Sequence, residues 1–259
     1  MYNIQPKTLF VGKNTIYLPT CHSTNTFAAE LIQNSEVEDG TIVITSNQTA
    51  GRGQRGNTWE TVPGENITAS FILKPKFLTA SEQFKLNIAV SLGVHEFLAS
   101  YLGSDEQAKR ELKVKWPNDI YVANRKLGGI LIENTLAGSR ISHSIVGIGL
   151  NINQLGFAEP KAISLRMAAP SHEYDIEKLV EGLAQSLEKN YLELKNGYAN
   201  RQKERYLRIL FRYQEKHFFE EGINQLLGQI MGVADNGRLI VEIEGELRYF
   251  DFKEIRFVI

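Results

Sequence analysis

Gly51-Arg52-Gly53-Gln54-Arg55-Gly56 is followed by Asn57-Thr58-Trp59-Glu60-Thr61-Val62-Pro63-Gly64. The first six residues satisfy the G-x-G-x-x-G pattern of dinucleotide-binding folds, and the β-branched run Thr41 to Thr45 precedes them. That pattern holds pyrophosphate only when a helix begins directly behind the glycines, because the amides and dipole of its first turn carry the charge. Pro63 and Gly64 arrive too early for such a helix. Where a ribose-binding acid belongs, roughly 20 residues on, stands the apolar strand Ile67 to Leu73. No Gly-Lys-Ser/Thr ending marks a P-loop either. A doubly wound dinucleotide fold is thereby excluded. What remains is a mobile glycine loop carrying two arginines and a tryptophan. Glycine permits close backbone approach to a ligand, and arginine forks match phosphate or carboxylate oxygens. An aromatic ring can cover a base or shield a reactive intermediate from water. Taken alone, a solvated basic loop with Trp59 tucked into the core accounts for the segment equally well.

Outward from the loop, elements of both kinds alternate. Ser23-Thr24-Asn25 offers N-cap side chains to a short helix at Phe27 to Ile32. Thr41 to Thr45 and Ile67 to Leu73 read as strands, and Phe84 to Leu102 as a helix apolar on nearly every side. Leu112 to Trp116 is a further strand, and Gly129 to Glu133 with Ser144 to Ile152 predicts an antiparallel hairpin around Gly138-Ser139. Ile176, Leu179, Leu183, Leu187, Tyr191 and Leu194 form one stripe of a helix over 175–194, and Tyr206, Leu210 and Tyr213 place another at about 200–213. Beyond Glu220-Glu221-Gly222 the texture becomes all-β. Leu226 to Val233, Arg238 to Ile243 and Leu247 to Phe252 are short strands divided by Asp235-Asn236-Gly237 and Glu244-Gly245-Glu246, a small barrel-type appendage. The division this suggests is 1–217 for a larger domain and 218–259 for a smaller one.

The chain of 259 residues carries 29 basic and 30 acidic side chains, net −1, so no global attraction to nucleic acid or anionic lipid is expected. Cys21 is the single cysteine, which excludes an internal disulfide and a cysteine-based metal cluster and reads as a core or near-core residue. The N-terminal stretch has no apolar secretory region, and no apolar run is long enough to span a bilayer, so a cytoplasmic protein is expected.

Further candidate site residues lie downstream. Lys113-Val114-Lys115-Trp116-Pro117-Asn118-Asp119 ends a strand in a turn, and alternation puts both lysines on one face. Arg125-Lys126-Leu127-Gly128-Gly129 leads into Ile130-Leu131-Ile132, and adjacent glycines before a buried strand suggest close backbone approach to a ligand. Gly147-Ile148-Gly149-Leu150-Asn151-Ile152-Asn153 repeats the theme, with Asn151 able to donate and accept.

Together these segments resemble the biotin–protein ligase family. The matching motifs are the glycine-arginine loop closed by tryptophan (51–59), Lys-Trp-Pro-Asn-Asp (115–119), Lys-Leu-Gly-Gly-Ile (126–130) and Gly-Ile-Gly-Leu-Asn-Ile-Asn (147–153), with Ser23-Thr24-Asn25 and Gln48 ahead of them. The resemblance is strongest over 21–153. It implies an α+β fold: a mixed β-sheet flanked by helices, like the catalytic domain of class II aminoacyl-tRNA synthetases, plus a small SH3-like C-terminal domain. The implied reaction joins biotin to ATP as biotinyl-5′-adenylate with release of pyrophosphate, then transfers biotin to a lysine of a biotin carboxyl carrier domain of a carboxylase. Mg²⁺ is expected with ATP, and neither nucleic acid nor membrane as partner. The protein would be a monomer or homodimer. By this resemblance the catalytic residues are Lys126, Arg52 and Lys115. Biotin would be bound by Ser23, Thr24, Asn25, Gln48, Gly51, Arg52, Lys126, Gly128 and Gly129. ATP would be bound by Gly53, Gln54, Arg55, Trp59, Lys115, Asn118, Asp119, Lys126 and Asn151, with Asp119 also the candidate Mg²⁺ ligand. Two positions depart from the commonest family loop: Gln54 stands where arginine is frequent, and Asn57 where another basic residue is usual. Val258 occupies the place of a C-terminal family arginine. Only 22 residues precede Ser23, broken by Pro6, Gly12 and Pro19, so no helix-turn-helix repressor module is expected there.

Two other readings compete. Lipoate–protein ligases and octanoyl transferases share the fold and the adenylate-site lysine but not the Gly-Arg loop or the Lys-Trp-Pro-Asn-Asp turn. A non-catalytic nucleic-acid reader is disfavoured by the charge balance and by the lack of a basic-aromatic stripe in 226–259.

Overall fold

The computed structural model describes residues 4–103, 106–170 and 173–259. The three leading residues of the segment read for a targeting signal therefore lie outside the described residues.

The chain runs β1 (Thr15–Cys21), α1 (Thr24–Asn34), β2 (Thr41–Gln48), β3 (Asn66–Leu73), α2 (Gln83–Tyr101), α3 (Glu106–Glu111), β4 (Leu112–Lys115), β5 (Asp119–Val122), β6 (Arg125–Ala137) and β7 (Arg140–Asn151). It continues with α4 (Leu165–Ala168), α5 (Ile176–Lys195), α6 (Ala199–Ile209), β8 (Lys216–Glu221), β9 (Asn224–Val233), β10 (Leu239–Ile243), β11 (Glu246–Phe250) and β12 (Arg256–Phe257). Among the described residues there are two sheets. The first has seven strands in the order β1-β2-β3-β7-β6-β5-β4, and the second five in the order β11-β10-β9-β8-β12. Only β1 and β2 are parallel, so the first sheet is mixed and the second antiparallel, giving an α+β fold.

Strand β3 is buried along its whole length because both of its faces are covered. Ile67, Ala69 and Phe71 belong to the main core with α2 and α5. Ile72 packs with Val43, Ile145 and Ala28 of α1 on the other face. Helix α5 starts at Asp175, whose carboxylate accepts the amides of Glu177 and Lys178, and it buries the stripe from Ile176 to Leu194. Gly93 of α2 lets this pair close up: a Cβ there would stand 3.1 Å from the Leu187 Cα.

Helix α6 stops at Ile209, short of the expected Tyr213. The edge strand β4 has a free carbonyl at Val114, which takes the Phe211 amide at 2.9 Å, and Arg212 and Gln214 turn through positive φ. Satisfying that edge competes with one more helical turn, and the edge wins. The sequence pattern does not mark β5, β8 or β12. β8 runs across the 217–218 division, so the second sheet begins ahead of it. The two sheets share one continuous apolar core, from Val11 and Ile42 through Trp116 to Ile230 and Ile255. Trp116 Nε1 donates to the Gly237 carbonyl at 2.8 Å across their junction. Among the described residues no helix is long and apolar enough to cross a membrane.

Candidate functional site

The α1 side of the first sheet leaves part of β3, β7 and β6 uncovered, and register explains why a cleft forms there. Thr68, Gly149, Gly129 and Asp119 stand side by side across four strands, and Ser70, Gly147 and Leu131 form the next row. Two glycines in the middle of the sheet clear its surface. At Gly149 an added Cβ would lie 2.7 Å from Trp59 Nε1, and at Gly147 it would collide with the Asn25 carboxamide. The result is an open-mouthed cleft that, with the solvent at its mouth, encloses about 700 Å³.

One wall is polar and comes from the start of α1. Ser23 is the N-cap residue, but its side chain makes no capping bond; the Thr24 amide is satisfied instead by Gln48 Oε1 at 2.9 Å. Asn25 Nδ2 donates to Glu133 Oε2 at 2.7 Å, and Ser70 Oγ lies 2.7 Å from Thr24 Oγ1 and 2.6 Å from Asn25 Oδ1. Ser23, Thr24, Asn25 and Ser70 are all buried, so this is a prebuilt cluster of hydroxyls and amides. Such a cluster suits a polar, uncharged ligand head.

The glycine loop forms the roof. It is folded back on itself, with Gly53 N bonded to Asn57 O at 2.7 Å, Trp59 N to Gly51 O at 3.0 Å, and a 3₁₀ turn at Gln54–Gly56. Trp59 lies over Gly149, and its Nε1 is buried without a hydrogen-bond partner. Arg52 Nη2 pairs with Glu133 Oε2 at 2.8 Å.

Charge is concentrated at the far end. Lys126 Nζ lies 2.7 Å from Asp119 Oδ1 and 5.7 Å from the Trp59 ring centroid. Both partners are partly exposed, so their pairing is screened and exchangeable. Lys115 stands opposite Asp119 in the β4–β5 register, with its Nζ 5.1 Å from the Tyr121 ring centroid. Burial pulls the Lys115 ammonium pKa below its ordinary value, partly offset by Asp119.

The cleft thus gathers Ser23, Thr24, Asn25, Gln48, Arg52 and Gly53 with Gln54, Trp59, Asn118, Asp119, Lys126 and Gly129. It does not gather all the candidates. Gly51 is buried under the Trp59 carbonyl, and Gly128 is packed against β7, where a Cβ would meet the Gly149 carbonyl at 2.7 Å. Their lack of a side chain serves packing. Asn151 is buried and donates to the Ile163 carbonyl at 3.2 Å, away from the cleft. Asn118 lines the cleft, yet its amide is held by the Ile130 carbonyl. Lys115 lies beside the cleft and does not line it. The Arg55 side chain is outside the described residues.

The site also draws on residues that the motifs do not mark, Thr68, Glu133 and Phe252 among them. Glu133 joins Arg52 to Asn25, and alternation from Gly129 through Leu131 would have placed it on the ligand face. Thr68 lines the cleft from β3, and Ser70, two residues on, is buried behind Thr24 and Asn25. Phe252 enters the lining from beyond the second sheet, and no local pattern announces it. Cys21 is half-buried, and burial raises its thiol pKa, as suits an unreactive residue.

Comparison with known proteins gives a consistent picture. The profile of the biotin/lipoate A/B protein ligase family matches residues 17–151. The chain is 30% identical over 251 residues to the bifunctional ligase/repressor BirA of Bacillus subtilis, covering 91% of this chain and 71% of that protein. It is 28% identical over 228 residues to the biotin–[acetyl-CoA-carboxylase] ligase of Paracoccus denitrificans, covering 85% of this chain and 90% of that protein. The structure of a biotin protein ligase from Aquifex aeolicus in complex with biotin and ATP superposes with a TM-score of 0.75 at 25% identity, over 95% of this chain and 100% of that chain.

Proposed function

The chain belongs to the biotin/lipoate A/B protein ligase family, and from that premise we propose that it is an ATP-dependent biotin–protein ligase acting on the carrier domain of a carboxylase. The observation that carries this reading is the division of one cleft into a neutral polar pocket around Ser23, Thr24, Asn25 and Gln48 and a cationic end at Lys126. Biotin has a ureido head for the first and a carboxylate for the second. A biotin carboxylate oxygen attacks the α-phosphorus of ATP and pyrophosphate leaves. The amine of an acceptor lysine then attacks the acyl carbon, losing a proton, and AMP departs. Both nucleophiles belong to substrates, so the protein's task is to position them and neutralise charge.

Lys126 stands where carboxylate and α-phosphate would meet, and ligand oxygens replace Asp119 as its partner. Arg52, held in place by Glu133, takes the same negative region from the roof. Trp59 covers the adenylate and limits water at its reactive acyl phosphate. A magnesium ion, which would neutralise the nucleotide's phosphates, would rest mainly on those phosphates. Asp119 is the one carboxylate lining the cleft, and no group of three or more His, Cys, Asp or Glu side chains suited to a metal is present among the described residues. Asp119 therefore fits as a single protein ligand. We place the reaction in the cytoplasm with a protein partner and neither nucleic acid nor membrane.

Isotope exchange between pyrophosphate and ATP, with biotin, lipoate or octanoate supplied one at a time, tests the reading. Exchange with biotin alone is expected. Exchange only with lipoate or octanoate, or none with any acid, overturns it.

A further inference from the structure

Beyond the cleft, where the second sheet meets the first, cations gather around the segment 256–259. Lys115 Nζ lies 5.2 Å from the Phe257 ring centroid. Arg212 Nη1 donates to the Val258 carbonyl at 2.7 Å, and Lys161 Nζ donates to a main-chain oxygen of Ile259, the last residue of the sequence, at 2.7 Å. The backbone ties this group to the reactive end of the cleft. Lys126 N donates to Lys161 O at 2.6 Å, and Ile163 N to Lys126 O at 2.9 Å. Lys126, Arg212 and Lys161 all act on Lys115 electrostatically.

Two details mark these cations as more than solvated surface charge. Arg212 adopts φ 60, a left-handed conformation that a non-glycine residue seldom takes, and this carries its guanidinium to 4.9 Å from the Phe211 ring. The Arg212 guanidinium bonds to a neutral carbonyl and lies against the Phe211 ring, with Glu215 acting on it only through space. The acids nearby are otherwise engaged. Asp119 pairs with Lys126, Glu159 accepts the Lys161 amide at 3.0 Å, and Glu215 lies 2.9 Å from His217. A phosphate oxygen makes a stronger, charge-assisted bond than a carbonyl, so an arriving phosphate can displace Val258 from Arg212.

We propose that Arg212 and Lys161 form an anion subsite for the β- and γ-phosphates of the nucleotide and for departing pyrophosphate, occupied until then by the Val258 carbonyl and a main-chain oxygen of Ile259. The inference rests on the reading of the cleft as an ATP site. It supplies what Lys126 alone does not. Attack at the α-phosphorus moves negative charge onto the pyrophosphate, and stabilising that charge as it develops speeds departure.

The test uses the whole chain with Arg212→Gln, Lys161→Gln and Arg212→Lys. In biotin-dependent exchange, each Gln variant is expected to raise KM for ATP and for pyrophosphate by about tenfold, the usual cost of losing one hydrogen bond to a charged group. KM for biotin stays near that of the native protein, and Arg212→Lys recovers part of the loss. Unchanged constants for ATP and pyrophosphate overturn the subsite. So does a parallel rise in all three constants with a lowered Tm, which marks a structural role. If the native protein shows no biotin-dependent exchange, the proposed reaction fails and calorimetry with inorganic pyrophosphate decides the subsite separately. Binding weakened in both Gln variants supports it; equal binding in native and variant proteins overturns it.

Discussion

At the scale of single residues, the account turns on where charge and shape are spent. Lys126 is the cation that both reaction partners would share. Lys126→Ala is expected to slow pyrophosphate exchange by ~10²–10³, the usual cost of removing one preorganised charge donor, with an unchanged circular dichroism spectrum. Exchange near the native rate would move the role elsewhere. Gln54 lines the roof, where the family more often has arginine. The native protein is therefore expected to release its adenylate faster than a Gln54→Arg variant in a single-turnover trap; equal release would show that the loop's charge does not hold it. The motif positions at the start of α1, in the glycine loop and at Asp119 and Lys126 line the cleft. Gly51, Gly128 and Asn151 pack behind it, because a motif does not say which of its residues faces the cleft.

At the scale of elements, the glycines of β7 have the sharpest consequence. Gly149→Ala keeps an allowed strand residue but puts a methyl 2.7 Å from Trp59 Nε1, so the ring must move. The expected result is a changed fluorescence of Trp59 and weaker binding of both biotin and ATP, with Tm little altered; native affinity for both would contradict the packing described. A second case lies ahead of α2. Glu82 accepts the Thr79 amide at 3.0 Å and pairs with Lys85 at 2.6 Å. These contacts, the Lys85 bond foremost, hold its carboxyl pKa down to about 2. A depressed carboxyl contributes stability above its unfolded value of 4.5 that is lost as pH falls toward 2. Because the pair is well solvated, Glu82→Gln should cost only about 0.5–1 kcal/mol at neutral pH, and the difference should vanish in acid urea titrations near the lower value. A difference constant with pH would assign it to something other than charge.

Long apolar segments such as β3, α2 and α5 were readable because burial on both faces, or along one stripe, leaves an unambiguous period. β5 was hidden inside a turn motif. β8, Lys-His-Phe-Phe-Glu-Glu, alternates too little to stand out. α3, Glu-Gln-Ala-Lys-Arg-Glu, buries only Ala108 and has no apolar stripe to read. The end of α6 was set by a carbonyl on β4 that no local pattern reveals.

At the scale of the whole molecule, the second sheet does more than append. The segment after β11 contributes Phe252 to the cleft, the β9–β10 turn holds Trp116 through the Gly237 carbonyl, and the core is continuous with that of the first sheet. Scanning calorimetry of the ligand-free protein should therefore show one cooperative transition, since neither sheet can lose its packing alone. Two resolved transitions would mean that the junction near Trp116 and Gly237 is weaker than its contacts imply.

The central claim is that this cleft makes an acyl adenylate from biotin and hands the acyl group to a lysine. The most direct measurement is an acid-quenched single turnover of the protein with biotin and ATP, followed by mass spectrometry before and after addition of a biotin carrier domain. The account predicts biotinyl-5′-adenylate and pyrophosphate in the first sample, then AMP with the carrier's lysine biotinylated in the second. Absence of the adenylate, or an adenylate that forms and is never passed to the carrier, would contradict it.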